Sequence, residues 1–244
     1  MKNISYIFLV LAFIAEVLGT IGGFGSSVFF VPIANFYFSY ESVLGLTAVY
    51  HLSSNLSKIL LFKKGIDKQL LINIGIPSII LVVLGSMLSK VFNSHYLELF
   101  LGVFLIILSL VFLIKKDLII IPNKINAIIG GSLSGFSAGL LGTGGAIRGL
   151  TMAAFNLEKS IFIATSAIID FLIDFSRTIV YYFNGYIHKE ELIYVPFLLF
   201  VGVIGTFIGK WILNFIPQDK FKIISLVLIF LIGIVTFTKA VINK

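Results

Sequence analysis

Six apolar runs of about 20 residues follow one another along the chain, at about 43–62, 70–89, 96–114, 160–183, 192–214 and 221–240. Each is long enough to cross ~30 Å of hydrocarbon as a helix. Two further runs, 4–38 and 125–157, are too long for one untilted span. Polar residues collect in the short segments between runs. The pattern predicts an all-α, polytopic membrane protein of about eight transmembrane segments.

The two overlong runs are interrupted in the same way. GTIGGFGSSVFFVP at 19–32 and GFSAGLLGTGGAIRG at 135–149 set glycine clusters near their middles. A helical glycine costs about 1 kcal/mol relative to alanine, so both runs read as broken, at Gly22, Gly23 and Gly25 and again at Gly142, Gly144 and Gly145. Backbone groups freed by a break cannot face lipid and must line an enclosed cavity. A half-helix starting at Ser26 and Ser27, or at Ala146 and Ile147 just after Thr143, points unpaired N–H groups and the positive end of its dipole into the membrane, which suits an anion. The competing reading is close helix packing. It fits GSLSG and GFSAG at 131–139 better than it fits GGFGSS and GTGGA. Whether each broken run crosses or folds back as a re-entrant hairpin stays open at this level.

A shift of 120 positions lays the chain on itself: Gly19, Gly22 and Gly25 fall on Gly139, Gly142 and Gly145, Gly65 on Gly185, and Gly85 and Lys90 on Gly205 and Lys210. A single membrane domain of two homologous four-segment repeats is the economical reading, about 4–116 and 125–241 with a linker at about 117–124.

Composition agrees with the pattern. Of 244 residues, 59% are hydrophobic and 12% charged, and the mean hydropathy is +1.10, outside the range of soluble domains. The first apolar run continues without a small-residue cleavage site, so it reads as retained. Without cysteine, disulfides and thiolate chemistry are excluded. The formal charge of +7 reads as a topology signal and lipid-headgroup contact, not as a nucleic-acid patch. If every segment crosses once from an inner N-terminus, Lys2, Lys58, Lys63, Lys64, Lys68, Lys115, Lys116, Lys124, Lys189, Lys239 and Lys244 lie inside, against Lys90, Lys159, Lys210, Lys220 and Lys222 outside. Eleven against five favours cytoplasmic termini. Under a hairpin arrangement the count reverses.

Ionisable residues at span depth are costly, and each is a functional candidate. Asp170, Asp174 and Arg177 follow i, i+4, i+7 spacing on one helical arc, with Asp174 and Arg177 able to pair. The corresponding span of the first half carries His51, Asn55 and Lys58 at the same spacing, displaced by one position under the 120-position shift, whose strict equivalents are Tyr50, Ser54 and Ser57. Polar arcs on equivalent helices suggest a shared central cavity. The chain has sixteen lysines and two arginines, Arg148 and Arg177, both inside apolar segments of the second half. A guanidinium fork suits oxyanions. For Arg177 the rival role is a structural ion pair; Arg148 has no acid nearby in sequence. Glu16 reads either as a proton carrier or as a side chain snorkelling to the interface, with Asp170 and Asp174 the other proton-coupling candidates. His51 reads as a packing residue or a proton relay, and His95 and His188 as loop residues.

Enzyme readings are weak. GFSAG matches G-x-S-x-G without the strand-turn-helix it needs; a serine protease would require Ser137 to meet His51; an aspartic protease needs its acids on different helices. No P-loop motif is present.

Together, GTIGGFGSSVFFVP, AVYHLSSNLSKILLFKKGIDKQ, VLGSMLSK, GGSLSGFSAGLLGTGGAIRG, ATSAIIDFLIDFSRTIVYYFNGYIHKEE and VIGTFIGK resemble the sulfite exporter TauE/SafE family of membrane permeases over about residues 5–240. Phe24 interrupts the first glycine run, and Ala146 stands where the family often has proline. The resemblance implies a four-plus-four arrangement and transport of sulfite, an organosulfonate or a related organic acid, with the glycine clusters as its most direct carry-over. The expected protein is therefore a secondary transporter of a small anion in the inner membrane, proton-coupled, without cofactor or metal. Its partners are the anion, lipid and further copies of itself. A passive anion channel and a non-transporting scaffold are the rivals.

Overall fold

The computed structural model describes residues 4–22, 25–62, 65–114, 120–213, 215 and 218–242, with side chains in the last segment from 226 onward. Gly23 and Phe24 lie outside the described residues. Each expected segment is helical: α1 (Tyr6–Gly22), α2 (Ser27–Ala34), α3 (Tyr40–Leu61), α4 (Lys68–Ser89), α5 (Ser94–Ile114), α6 (Lys124–Leu141), α7 (Gly145–Ala153), α8 (Lys159–Asn184), α9 (Val195–Leu213) and α10 (Gln218–Ile242), with a 3₁₀ turn at Leu192–Tyr194 before α9. Polar caps sit where the apolar runs stop: Ser39, Asp67 and Asn123 accept from the backbone N–H three residues on, at 3.4, 2.9 and 2.8 Å, satisfying donors that a helix start leaves free.

Both overlong runs are broken at the glycine clusters, α1 from α2 and α6 from α7. The half-helices start at Ser27 and Gly145, within two residues of the positions expected.

The runs do not cross. Phe8 near the start of α1 packs on Phe30 within α2 and on Tyr37 and Phe38 beyond its end, with ring centroids 5.8, 5.2 and 5.0 Å apart, so α2 returns alongside α1. Likewise Gly130 early in α6 faces Thr151 late in α7, while Gly144 at the bend backs onto Ser134. Of the two paths left open by the sequence, both runs take the hairpin: each enters the bundle and returns to the end it came from. Hydropathy is blind to this, because a 33- to 35-residue apolar stretch fits either path.

The other helices run the length of the bundle. α3 and α8 are antiparallel: Gly45 faces Tyr186, and the Asp67 N–H donates to Thr165 Oγ1 at 3.0 Å. α4 and α6 are parallel, with Gly131, Gly135 and Gly139 against Ile74, Ser78 and Val82. α1 and α9 are parallel, with Glu16 and Thr20 against Gly205 and Gly209, and α5 and α10 are antiparallel, with Gly102 against Phe237 and Gly233 against Ile106. The starts of α1, α3, α5 and α9 and the ends of α2, α4, α8 and α10 therefore share one end of the bundle, here the N-terminal end. The remaining helix termini share the opposite end, apart from the α1–α2 and α6–α7 bends inside the bundle.

At Gly131, Gly135 and Gly139 an added Cβ would lie 2.1–2.4 Å from carbonyl oxygens of α4. Those glycines are packing residues, as GSLSG and GFSAG suggested. The outer faces are apolar stripes, such as Ile72, Ile76, Ile80 and Leu84 on α4 and Phe200, Val203, Phe207 and Trp211 on α9. Among the described residues, three helical stretches, Lys68–Ser89, Ser94–Ile114 and Leu192–Leu213, are apolar and long enough to cross a membrane by length and composition alone. α3 and α8, of 22 and 26 residues, carry the polar arcs inward.

Candidate functional site

The tips of the two hairpins meet inside the bundle. Gly25 and Gly142 take left-handed φ of 80° and 79°, a conformation glycine adopts without a Cβ penalty, and each turns the chain into a short helix. The Ser27 and Thr143 hydroxyls lie 3.2 Å apart, and a Cβ on Gly25 would come 3.8 Å from Gly145 Cα. First-turn residues of α2 and α7 thus line one small cavity, together with His51, Asn55 and Lys58 of α3, Asp170, Asp174 and Arg177 of α8, and Ala138 and Gly142 of α6. The first N–H groups of any helix lack intrahelical acceptors, and two such ends here face one space. Gly22 ends α1 just before the first bend.

Among the described residues, Lys58, Asp170, Asp174 and Arg177 line this cavity, and Glu16 and Arg148 are paired to its lining. Glu16 is fully buried, so the snorkelling alternative does not hold. Its Oε1 receives Thr20, Ser54 and Thr206 hydroxyls at 3.1, 2.6 and 3.0 Å and the Lys58 ammonium at 2.9 Å. Its Oε2 receives Ser26 at 2.6 Å and Tyr50 at 3.2 Å. Ser26 Oγ also lies 3.0 Å from His51 Nε2. These contacts tie α1, the first bend, α3 and α9 together.

Asp174 and Arg177 pair, as their spacing allowed: Nε and one terminal nitrogen of Arg177 reach Asp174 Oδ1 at 2.9 and 2.7 Å. The other terminal nitrogen donates to the carbonyls of Ala138 and Gly142 at 3.0 and 2.8 Å, closing the C-terminal end of α6. Asn55 donates to Asp174 Oδ2 at 2.7 Å, which joins the polar arcs of α3 and α8.

Arg148 is not alone. Both its terminal nitrogens engage Asp170, and its Nε donates to Ser166 at 3.0 Å. The partner comes from the next helix, 22 positions on, where no local spacing rule reaches. A second cavity, lined by Gly19, Thr20, Phe162, Ile163, Ser166 and Ala167, shares Gly25, Lys58 and Asp170 with the first and lies toward the opposite end. Toward the N-terminal end, buried Tyr40 and Tyr181 donate to the carbonyls of Leu141 and Gly139 at 3.0 and 2.6 Å.

A family model, Sulfite exporter TauE/SafE, matches residues 8–236. The chain belongs to the sulfite exporter TauE/SafE family. It is accordingly a multi-pass membrane protein of a permease family. Among curated proteins and among solved structures, nothing matches it.

For this TauE/SafE protein the structure gathers Gly25, Ser26, Ser27, His51, Asn55, Gly142, Gly144, Gly145, Asp170, Asp174 and Arg177 around one cavity. Thr143 and Arg148 are bonded to its walls, and Glu16 to Ser26 and Lys58. Ser137 instead gives its hydroxyl to the Ser134 carbonyl at 3.1 Å, while His51 meets Ser26. His188, read as a loop residue, bonds Ser42 at 2.8 Å through Nδ1. Tyr50 and Ser54, the strict counterparts of Asp170 and Asp174 under the 120-position shift, both bond Glu16. Sequence reasoning passed over Ser166 and Thr206, which carried no signal.

Proposed function

We propose that this protein is a secondary transporter of a small anion, sulfite or an organosulfonate or related organic acid, bound between the two hairpin tips. The meeting of two helix N-termini at one polar cavity inside an apolar bundle carries this reading. The dipole ends supply positive potential there, and the donors of Gly144, Gly145, Ser26 and Ser27 surround the ligand. The family's description supports the substrate class.

We also read the chain as two inverted repeats. α1 on α9 matches α6 on α4, while α3 with α8 and α5 with α10 pair as counterparts. A hairpin plus three crossings is an odd number of traverses, so the halves enter from opposite sides, a plan suited to alternating access. The tyrosine layer on one side of the cavity favours this over an open channel.

The hairpins reverse the lysine argument. Lys68, Lys124, Lys159, Lys210, Lys220 and Lys222 belong to the opposite end, against Lys90, Lys189 and Lys239 at the N-terminal end. By the positive-inside bias the opposite end is cytoplasmic and the N-terminal end faces outward, contrary to the expectation of cytoplasmic termini.

Uptake of sulfite, methanesulfonate and acetate into liposomes containing the purified protein tests the reading. Saturable flux of at least one is expected; flux no higher than in empty liposomes overturns it.

A further inference from the structure

Among the described residues, buried Glu16 and Asp174 and part-buried Asp170 are available to carry a coupling proton, and their surroundings differ. Glu16 is held by five hydroxyls and an ammonium. Asp174 is held by Asn55 and Arg177, and Arg177 is in turn bound to α6 carbonyls. Asp170 is held by the Arg148 fork. Its side chain keeps 20% of its surface accessible, against 0% for Glu16 and 4% for Asp174, and it borders both cavities. The groups around it are Arg148 from α7, Lys58 and His51 from α3, and Asp174 and Arg177 from its own helix; among the described residues α4 and α6 contribute no charged side chain to the cavity wall.

We infer that Asp170 and the transported anion exchange on Arg148: a proton neutralises Asp170, and the freed guanidinium fork takes two oxygens of a monoanionic oxyanion. This rests on the anion-transport reading and deepens it. Charge balance selects the monoanion. Glu16 with Lys58, Asp174 with Arg177 and Asp170 with Arg148 make three matched pairs, and net charge at this depth is costly. Replacing the Asp170 charge by one anionic charge and adding one proton leaves the sum unchanged. A dianion would leave one charge over. Ser166, already on Arg148 Nε, keeps the fork oriented in both states. The proton and the anion move together, so transport is electroneutral with one proton per anion.

The test measures binding of methanesulfonate, which stays a monoanion between pH 5 and 8, to the purified full chain by thermal stabilisation, which reports binding to the folded state. Linkage of one proton to one anion strengthens apparent affinity about tenfold for each unit the pH falls, while Asp170 is ionised in the free protein. Asp170→Asn, which imitates the protonated state, is expected to bind as tightly at pH 8 as at pH 6. Arg148→Lys, which keeps the charge but not the fork, is expected to lose the response. Should wild type and Asp170→Asn both bind with the same affinity at pH 6 and 8, the exchange is overturned while anion transport stands. Should neither be stabilised by methanesulfonate, sulfite or acetate, the exchange falls together with the anion site beneath it.

Discussion

The hydroxyls of Ser27 and Thr143 lie 3.2 Å apart, although 116 positions separate them. They mark where two re-entrant hairpins touch, and every other feature of the candidate site is arranged around that contact. Neither hairpin makes a site alone. α2 brings one helix start and the Ser26 link to Glu16, and α7 brings the other with Arg148.

The path of the chain is the most direct thing to test, since a protein without native cysteine accepts single labelling sites. Cysteines at Lys68 and Lys159 are expected to react with a membrane-impermeant maleimide from the same side, and those at Lys90 and Lys189 from the other. Full crossing of 125–157 would put Lys68 and Lys159 on opposite sides. On the lysine bias, intact cells should label the Lys90 and Lys189 positions only.

Glu16 and Lys58 form a buried ion pair. Glu16→Gln leaves the ammonium without its counter-charge and is expected to cost about 3–5 kcal/mol of stability. Adding Lys58→Met should recover much of that loss, since the stranded charge is then gone. Unfolding in detergent checks both. A single variant as stable as wild type would show that the pair does not anchor the first hairpin.

Gly142 and Gly185 share a left-handed φ, 79° and 80°, but not their surroundings. A Cβ on Gly185 meets nothing within 4 Å, whereas one on Gly142 would come 2.8 Å from Leu44 and 3.1 Å from Val31. Gly185→Ala is therefore expected to cost about 1–2 kcal/mol for the backbone alone, and Gly142→Ala distinctly more. Equal losses in thermal unfolding would mean that the second bend has room to relax.

The two arginines should separate experimentally. Arg177→Lys abandons the Ala138 and Gly142 carbonyls or Asp174, leaving buried acceptors unpaired at about 1–3 kcal/mol. Its melting temperature should fall with and without added anion. Arg148→Lys should change the anion response most. Loss of anion stabilisation in Arg177→Lys with an unchanged melting temperature would assign the ligand to the wrong arginine.

Much of this was legible in the chain. Runs of about 20 apolar residues dictate membrane helices because only a helix satisfies its backbone within one segment in lipid, and a spanning strand needs only about half that length. The glycine clusters dictate breaks, since continuous helix is disfavoured there and only glycine turns through positive φ cheaply. The i, i+4, i+7 arcs bring Asn55 and Asp174 to one interface because helical periodicity fixes which side chains share a face. Tertiary structure decided the rest. Hydropathy measures burial in an apolar phase and not direction, so it could not say that α2 and α7 turn back, and the lysine count inherited that ambiguity with its sign. Ion pairing depends on which helices become neighbours. Glu16 found Lys58 across 42 positions and Arg148 found Asp170 across 22 because buried charges must be matched wherever packing brings them together, and no local spacing in the chain encodes that meeting.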